Sequence, residues 1–157
     1  MTIRQKLEEY DLFDQAIIRH GMLEHIRDYE LIGFLVGQYE ELEVRYVFKG
    51  CLRVNFVNIV EPKSFSMDDR LLEMSRQHEP EYPEGFVWGV NYATVYPGWN
   101  LTEDSPELAE LERKYGLDLC QIVFETNAYQ LNIIFSDLET KLLRRRKRRS
   151  PTSADPS

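Results

Sequence analysis

The sequence predicts an α+β domain, an antiparallel sheet of about five to six strands with helices packed on one face. Three observations lead there. Apolar spacing is helical at the N-terminus and switches to period two from Asp28 onward. Successive strand-like runs are joined by short polar links, which suit antiparallel neighbours. Two well-formed helix starts, at Thr2 and Ser105, lie outside those runs.

Thr2-Ile3-Arg4-Gln5 reads as a capping box, with Thr2 as N-cap and Gln5 reaching back. Ile3, Leu7, Tyr10, Phe13 and Ile17 then recur at helical spacing, and Gly21 offers a stop. Asp11 and Asp14 are the places where this helix would divide. Tyr29–Val36 is a mostly apolar strand. After the turn at Gly37, the residues Leu42, Val44, Tyr46 and Phe48 alternate with Glu43, Arg45, Val47 and Lys49, a half-buried strand. Gly50 breaks it, and residues 52–60 read as a third strand of one meander. Met67, Leu71 and Met74 mark a helix within 66–78, and Pro80 and Pro83 a loop. Phe86, Trp88, Val90 and Tyr92 share one face of a fourth strand, with Trp88 expected in the core. Ser105, Pro106 and Glu107 open a second helix, with Leu108, Leu111 and Tyr115 on its apolar face, and Gly116 ends it. Residues 117–124 and 128–135 form a closing hairpin, and residues 137–149 read as a final helix.

A chain of 157 residues fits one domain. Its boundaries read as 1–143, followed by a basic, disordered tail over 144–157. Six of the 19 basic residues lie in 144–149, so residues 1–143 hold 13 basic against 26 acidic residues, a net charge near −13. Such a body repels nucleic acid and anionic membranes and attracts a basic partner. The basic run itself has three readings: a contact for nucleic acid or another anionic surface, a solubilising end, or a segment folded back on the acidic body. Cys51 and Cys120 are 69 positions apart and lack C-x-x-C partners, so free buried thiols are expected. No apolar run approaches a membrane span, and the N-terminus lacks the apolar core of a signal peptide. A cytoplasmic setting is the expectation.

The densest signal is Glu84-Gly85-Phe86-Val87-Trp88-Gly89-Val90-Asn91-Tyr92-Ala93-Thr94-Val95-Tyr96-Pro97-Gly98-Trp99, which holds five aromatics and three glycines with no charge after Glu84. The first part of it, together with Arg19-His20-Gly21-Met22-Leu23, Arg27-Asp28-Tyr29-Glu30, Tyr46-Val47-Phe48-Lys49-Gly50-Cys51 and Glu125-Thr126-Asn127-Ala128-Tyr129, resembles the YxiG-like family of small, uncharacterised bacterial proteins. The fragments span roughly residues 5–138, and the run after Leu143 reads as outside the family pattern. The resemblance carries no catalytic residues. It implies a place among accessory and immunity-type proteins found near secreted bacterial toxins.

The candidate site is a protein-binding surface. Tyr92, Tyr96 and Trp99, at the end of the aromatic stretch, are candidate anchors, since Trp and Tyr are favoured at interface hot spots. Glu40, Glu41 and Glu43 are candidate steering charges, although acidic clusters are often simply solvated turns. No catalytic residue, metal or cofactor is expected: phosphate loops and H-E-x-x-H and G-x-S-x-G patterns are absent from the sequence. Two alternatives remain. One is a small hydrolase or metal-dependent enzyme built on His25, His20, Asp28 and nearby carboxylates, or on His78. The other is nucleic-acid binding through residues 144–149. Oligomeric state is not legible.

Overall fold

The computed structural model describes residues 1–25, 27–59 and 93–148. Among the described residues the fold is mostly β, with nine strands in two antiparallel sheets and two short helices. The antiparallel expectation holds. The single sheet with helices on one face does not. The helix at 66–78, the strand at 86–92 with Phe86, Trp88 and Val90, His78 and residues 149–157 lie outside the described residues.

Helix α1 covers Ile3–Glu9, and its capping box forms as the sequence suggests: Thr2 Oγ1 accepts from the Gln5 N–H, and Gln5 Oε1 accepts from the Thr2 N–H. The helix stops where Asp11 offers a competing acceptor. Its carboxylate takes the Phe13 N–H at 2.9 Å, and Asp14 turns the chain at φ 56°. The chain then enters strand β1, Ala16–Met22, so Ile17 belongs to a strand despite its helical spacing from Phe13. The β-branched pair Ile17 and Ile18 favours that outcome.

Strands β2 (Tyr29–Val36) and β3 (Glu40–Lys49) follow as a hairpin. Val44, Tyr46 and Phe48 are fully buried and Leu42 packs beside them, as the alternation predicts. Strand β4 (Arg53–Asn58) does not extend the meander. It pairs with β8 (Tyr129–Phe135) in the second sheet. Strands β5 (Ala93–Thr94), β6 (Gly98–Thr102) and β7 (Cys120–Glu125) precede β8, and β9 (Asp137–Lys147) follows it. The first sheet runs β5-β1-β2-β3-β9 and the second β4-β8-β7-β6.

The chain changes sheets twice at one corner. β3 becomes β4 through Gly50, and β8 becomes β9 through Ser136. Ser136 donates both its N–H (2.8 Å) and its hydroxyl (3.0 Å) to the Lys49 carbonyl. Gly50 sits at φ 61°, and a Cβ there would lie 2.4 Å from Ser136 Oγ. Only glycine fits that left-handed, crowded position without strain. Between the sheets, Phe48 meets Phe124 and Phe135 edge-on, with ring centroids 6.1 and 4.9 Å apart.

The helices serve different places. α1 closes one side of the sandwich: Lys6 Nζ donates to the Leu138 carbonyl of β9 at 2.7 Å, Arg4 donates to the Leu101 carbonyl of β6, and Leu7 enters the core. Helix α2 (Pro106–Tyr115), capped by Ser105 and ended by Gly116, lays Leu108 and Leu111 near Ile134 on the outer face of the second sheet. Arg53 and Glu107 join α2 to β4 at 2.5 Å.

Residues 137–147 are strand, not helix, because β9 pairs along the whole length of β3. Leu138, Thr140 and Leu142 are the neighbours of Phe48, Tyr46 and Val44, a period-two set that long-range pairing favours over local helical spacing. The basic run therefore begins inside the folded domain: Arg144–Lys147 are the last residues of β9 rather than the start of a tail.

Candidate functional site

The chain brings two of the expected anchors to one edge. Between β5 and β6 it passes through Val95, Tyr96 and Pro97, and the turn at 11–15 lies against this passage. Asp14 N–H donates to the Val95 carbonyl at 2.8 Å, and Val95 N–H donates to the Gln15 carbonyl at 2.9 Å. Asp11 binds both the Phe13 N–H and the indole N–H of Trp99, the latter at 2.8 Å. Asn127 clamps Thr94 from the β7–β8 turn, accepting its N–H at 2.8 Å. The backbone is thus fixed from two sides, by the turn at 11–15 and by the β7–β8 turn.

On this base stand Phe13, 51% exposed, and Tyr96, 60% exposed, with ring centroids 6.4 Å apart. Phe13 also lies over Gly98, where a Cβ would come within 3.4 Å of its ring. Trp99 is only partly buried and packs its inner side against the core. An open groove of about 460 Å³ runs beside it, lined by Pro97, Gly98, Trp99, Asn100, Val123 and Glu125. Exposed carboxylates of Asp14 and Glu125 flank the turn.

Phe13 was not singled out by the sequence, since its spacing from Tyr10 and Ile17 reads as a helix face. The signal available was Asp11, two residues earlier, whose side chain bends the chain there. Tyr92 lies outside the described residues. Glu40, Glu41 and Glu43 stand elsewhere, on β3, directly across from Lys147, Arg146 and Arg144. Glu40 also binds Arg145 at 3.2 Å. Cations on β9 offset this acidic run, so its part in a steering surface is reduced.

The histidines go to separate partners. His25 pairs with Asp28 at 3.1 Å, and the other Asp28 oxygen accepts the Gly50 N–H at 3.1 Å. Burial pushes the Asp28 pKa up, but those bonds outweigh it and hold it below its usual value. This carboxylate braces the corner. His20 instead shares a 2.5 Å hydrogen bond with the Tyr29 hydroxyl and is ringed by Phe56 and Tyr129. Both thiols are free, and burial pushes Cys51 up to about 12 and Cys120 to about 11, with nearby carboxylates adding to the shift, so neither is a thiolate near neutrality. Among the described residues no three His, Cys, Asp or Glu side chains converge as metal ligands would.

Glu30 holds two arginines on the outer face of the first sheet, Arg19 at 2.6 Å and Arg45 at 2.5 Å. Burial raises its pKa, and the two guanidinium partners more than reverse that.

The His20 setting has a measurable consequence. Burial lowers its pKa from 6.5, so the folded state favours the neutral ring. Tyr29 and Tyr129, which face it, are pushed up by burial and stay neutral. A folded pKa below the unfolded value means that protons favour the unfolded chain. The stabilisation is complete above about pH 6.5 and is lost as pH falls toward the folded pKa. Between pH 7.5 and 5.5 the parent should therefore lose more melting temperature than His20→Phe, as read by thermal melts. Parallel curves would contradict this.

The described residues define a small antiparallel β-sandwich that presents a braced aromatic turn at one edge. The chain belongs to the YxiG-like protein family, whose model matches residues 1–152. That span takes in the basic run, which is therefore not an addition beyond the family pattern. A comparison with curated proteins found no match. Among the described residues no helix is long and apolar enough to cross a membrane.

Proposed function

We propose that this domain works by binding another protein without catalysis, and that the aromatic turn is its docking face. The observation that supports this most is the exposed Phe13–Tyr96 pair on a backbone already fixed by hydrogen bonds. Two large rings held in water are unfavourable for the free protein and favourable once covered. A pre-fixed turn also lowers the ordering cost of association. Asp14 and Glu125 beside the rings suit a partner with a basic rim. The setting is the bacterial cytoplasm, in an accessory or immunity role beside a toxin system. Two free cysteines fit a reducing compartment, and the role itself rests on analogy.

Phe13→Ala and Tyr96→Ala should each weaken binding to a partner isolated with the parent protein by at least tenfold, mainly through faster dissociation. Their melting temperatures should stay near the parent's, because both rings are more than half exposed. Surface-immobilised kinetics reads this directly. Unchanged affinity in both variants, with loss on charge reversal at Glu40, Glu41 and Glu43, would move the docking face to β3.

A further inference from the structure

The second half of β9 forms another surface, independent of the aromatic turn. β9 is the outermost strand of the first sheet, so among the described residues one of its edges faces no neighbour in that sheet. α1 covers its beginning through the bond from Lys6 to the Leu138 carbonyl. From Leu143 to Arg148 every residue is exposed. Five consecutive cations, Arg144, Arg145, Arg146, Lys147 and Arg148, stand on this extended backbone against three carboxylates on β3. Among the described residues Arg145 alone of the five has an ion-pair partner, Glu40, while Arg148 binds the Gly37 carbonyl at 3.1 Å. A shallow groove lined by Glu41, Arg146, Lys147 and Arg148 spans the end of β9 and its partner β3.

A strand edge offers a row of backbone donors and acceptors to any extended chain that comes alongside. Its side chains decide which chains are admitted. A second copy of β9 would set five cations against five and be repelled, which keeps the protein from joining to itself through this edge. An acidic strand would meet opposite charge at each position. A nucleic acid suits it less, since it lacks the amide ladder.

We infer that the edge of β9 from Leu143 to Lys147, with Arg148 just beyond it, receives an acidic, extended segment of a partner protein by strand addition. The probe is a fluorescein-labelled ten-residue peptide of alternating glutamate and threonine, titrated against the full chain by anisotropy. Saturable binding is expected. It should weaken at least tenfold when alternate peptide nitrogens are methylated, which keeps the charge and removes the ladder. It should weaken similarly in Arg144→Gln/Arg146→Gln, whose fold is checked by circular dichroism. Hydrogen exchange should slow at residues 143–148. The proposal is overturned if the methylated peptide or a fifteen-residue oligothymidylate binds as tightly as the plain peptide, because charge alone is then being read. Absence of binding, or protection confined to other strands, overturns it too. The methylation arm needs no variant, so a misfolded mutant cannot obscure the result.

Discussion

Phe48→Ala should destabilise the domain by about 3–5 kcal/mol, the usual cost of removing a buried phenylalanine. The side chain is fully buried and touches Phe124 and Phe135 of the other sheet edge-on. Its loss leaves a void between two sheets held apart by their remaining side chains. That void cannot close without moving the corner at Gly50, only two residues away, which hydrogen bonds fix. Denaturant titration measures the effect. Phe48→Leu should cost much less, because most of the volume is retained. A change under about 1 kcal/mol for the alanine variant would mean that Phe48 does not join the sheets.

Gly50→Ala should cost about 2–3 kcal/mol. About 1–2 kcal/mol comes from placing a Cβ at φ 61°. The rest comes from displacing the Ser136 hydroxyl, which gives up a hydrogen bond to Lys49 worth about 1 kcal/mol. The two parts can be separated. In a Ser136→Ala background the Gly50→Ala penalty should fall to the backbone part, as a double-mutant cycle would show. An unchanged penalty in that background would mean that the crowding at Ser136 costs nothing.

These two positions also show how far the sequence could be read. The alternation of Leu42, Val44, Tyr46 and Phe48 announces β3 because one face of that strand meets the core and the other meets polar surface. The caps at Thr2, Ser105 and Gly116 are legible because they satisfy local backbone groups. Gly50 is legible as a break but not as a change of sheet. That depends on Ser136, 86 positions later in the chain, which approaches the same carbonyl. β9 is misread for the same reason. Leu138 and Leu142 stand four apart, as on a helix, and only their pairing with Phe48 and Val44 decides otherwise.

The candidate site divides in the same way. Tyr96 and Trp99 are visible in the sequence because aromatics beside Pro97 and Gly98 are unusual for a turn. Their companion Phe13 lies 83 positions before Tyr96 and reads as part of a helix. The acidic run of Glu40, Glu41 and Glu43 is visible, but its neutralising neighbours on β9 are not, since strand register carries them together. Charge counted along the chain therefore overstates the acidic face.

The aromatic turn as docking face is tested most directly by site-specific photocrosslinking in the native organism. A benzophenone amino acid replaces Tyr96 in one version of the protein and Tyr115 in another. Both tyrosines are at least half exposed, and Tyr115 lies on α2, apart from the turn. The expected result is one discrete adduct from position 96 and none of that mass from position 115. Excess unmodified parent should compete the adduct away, and excess Phe13→Ala should not. An adduct of the same mass from position 115 alone, or equal competition by the parent and by Phe13→Ala, would contradict a docking face at this turn.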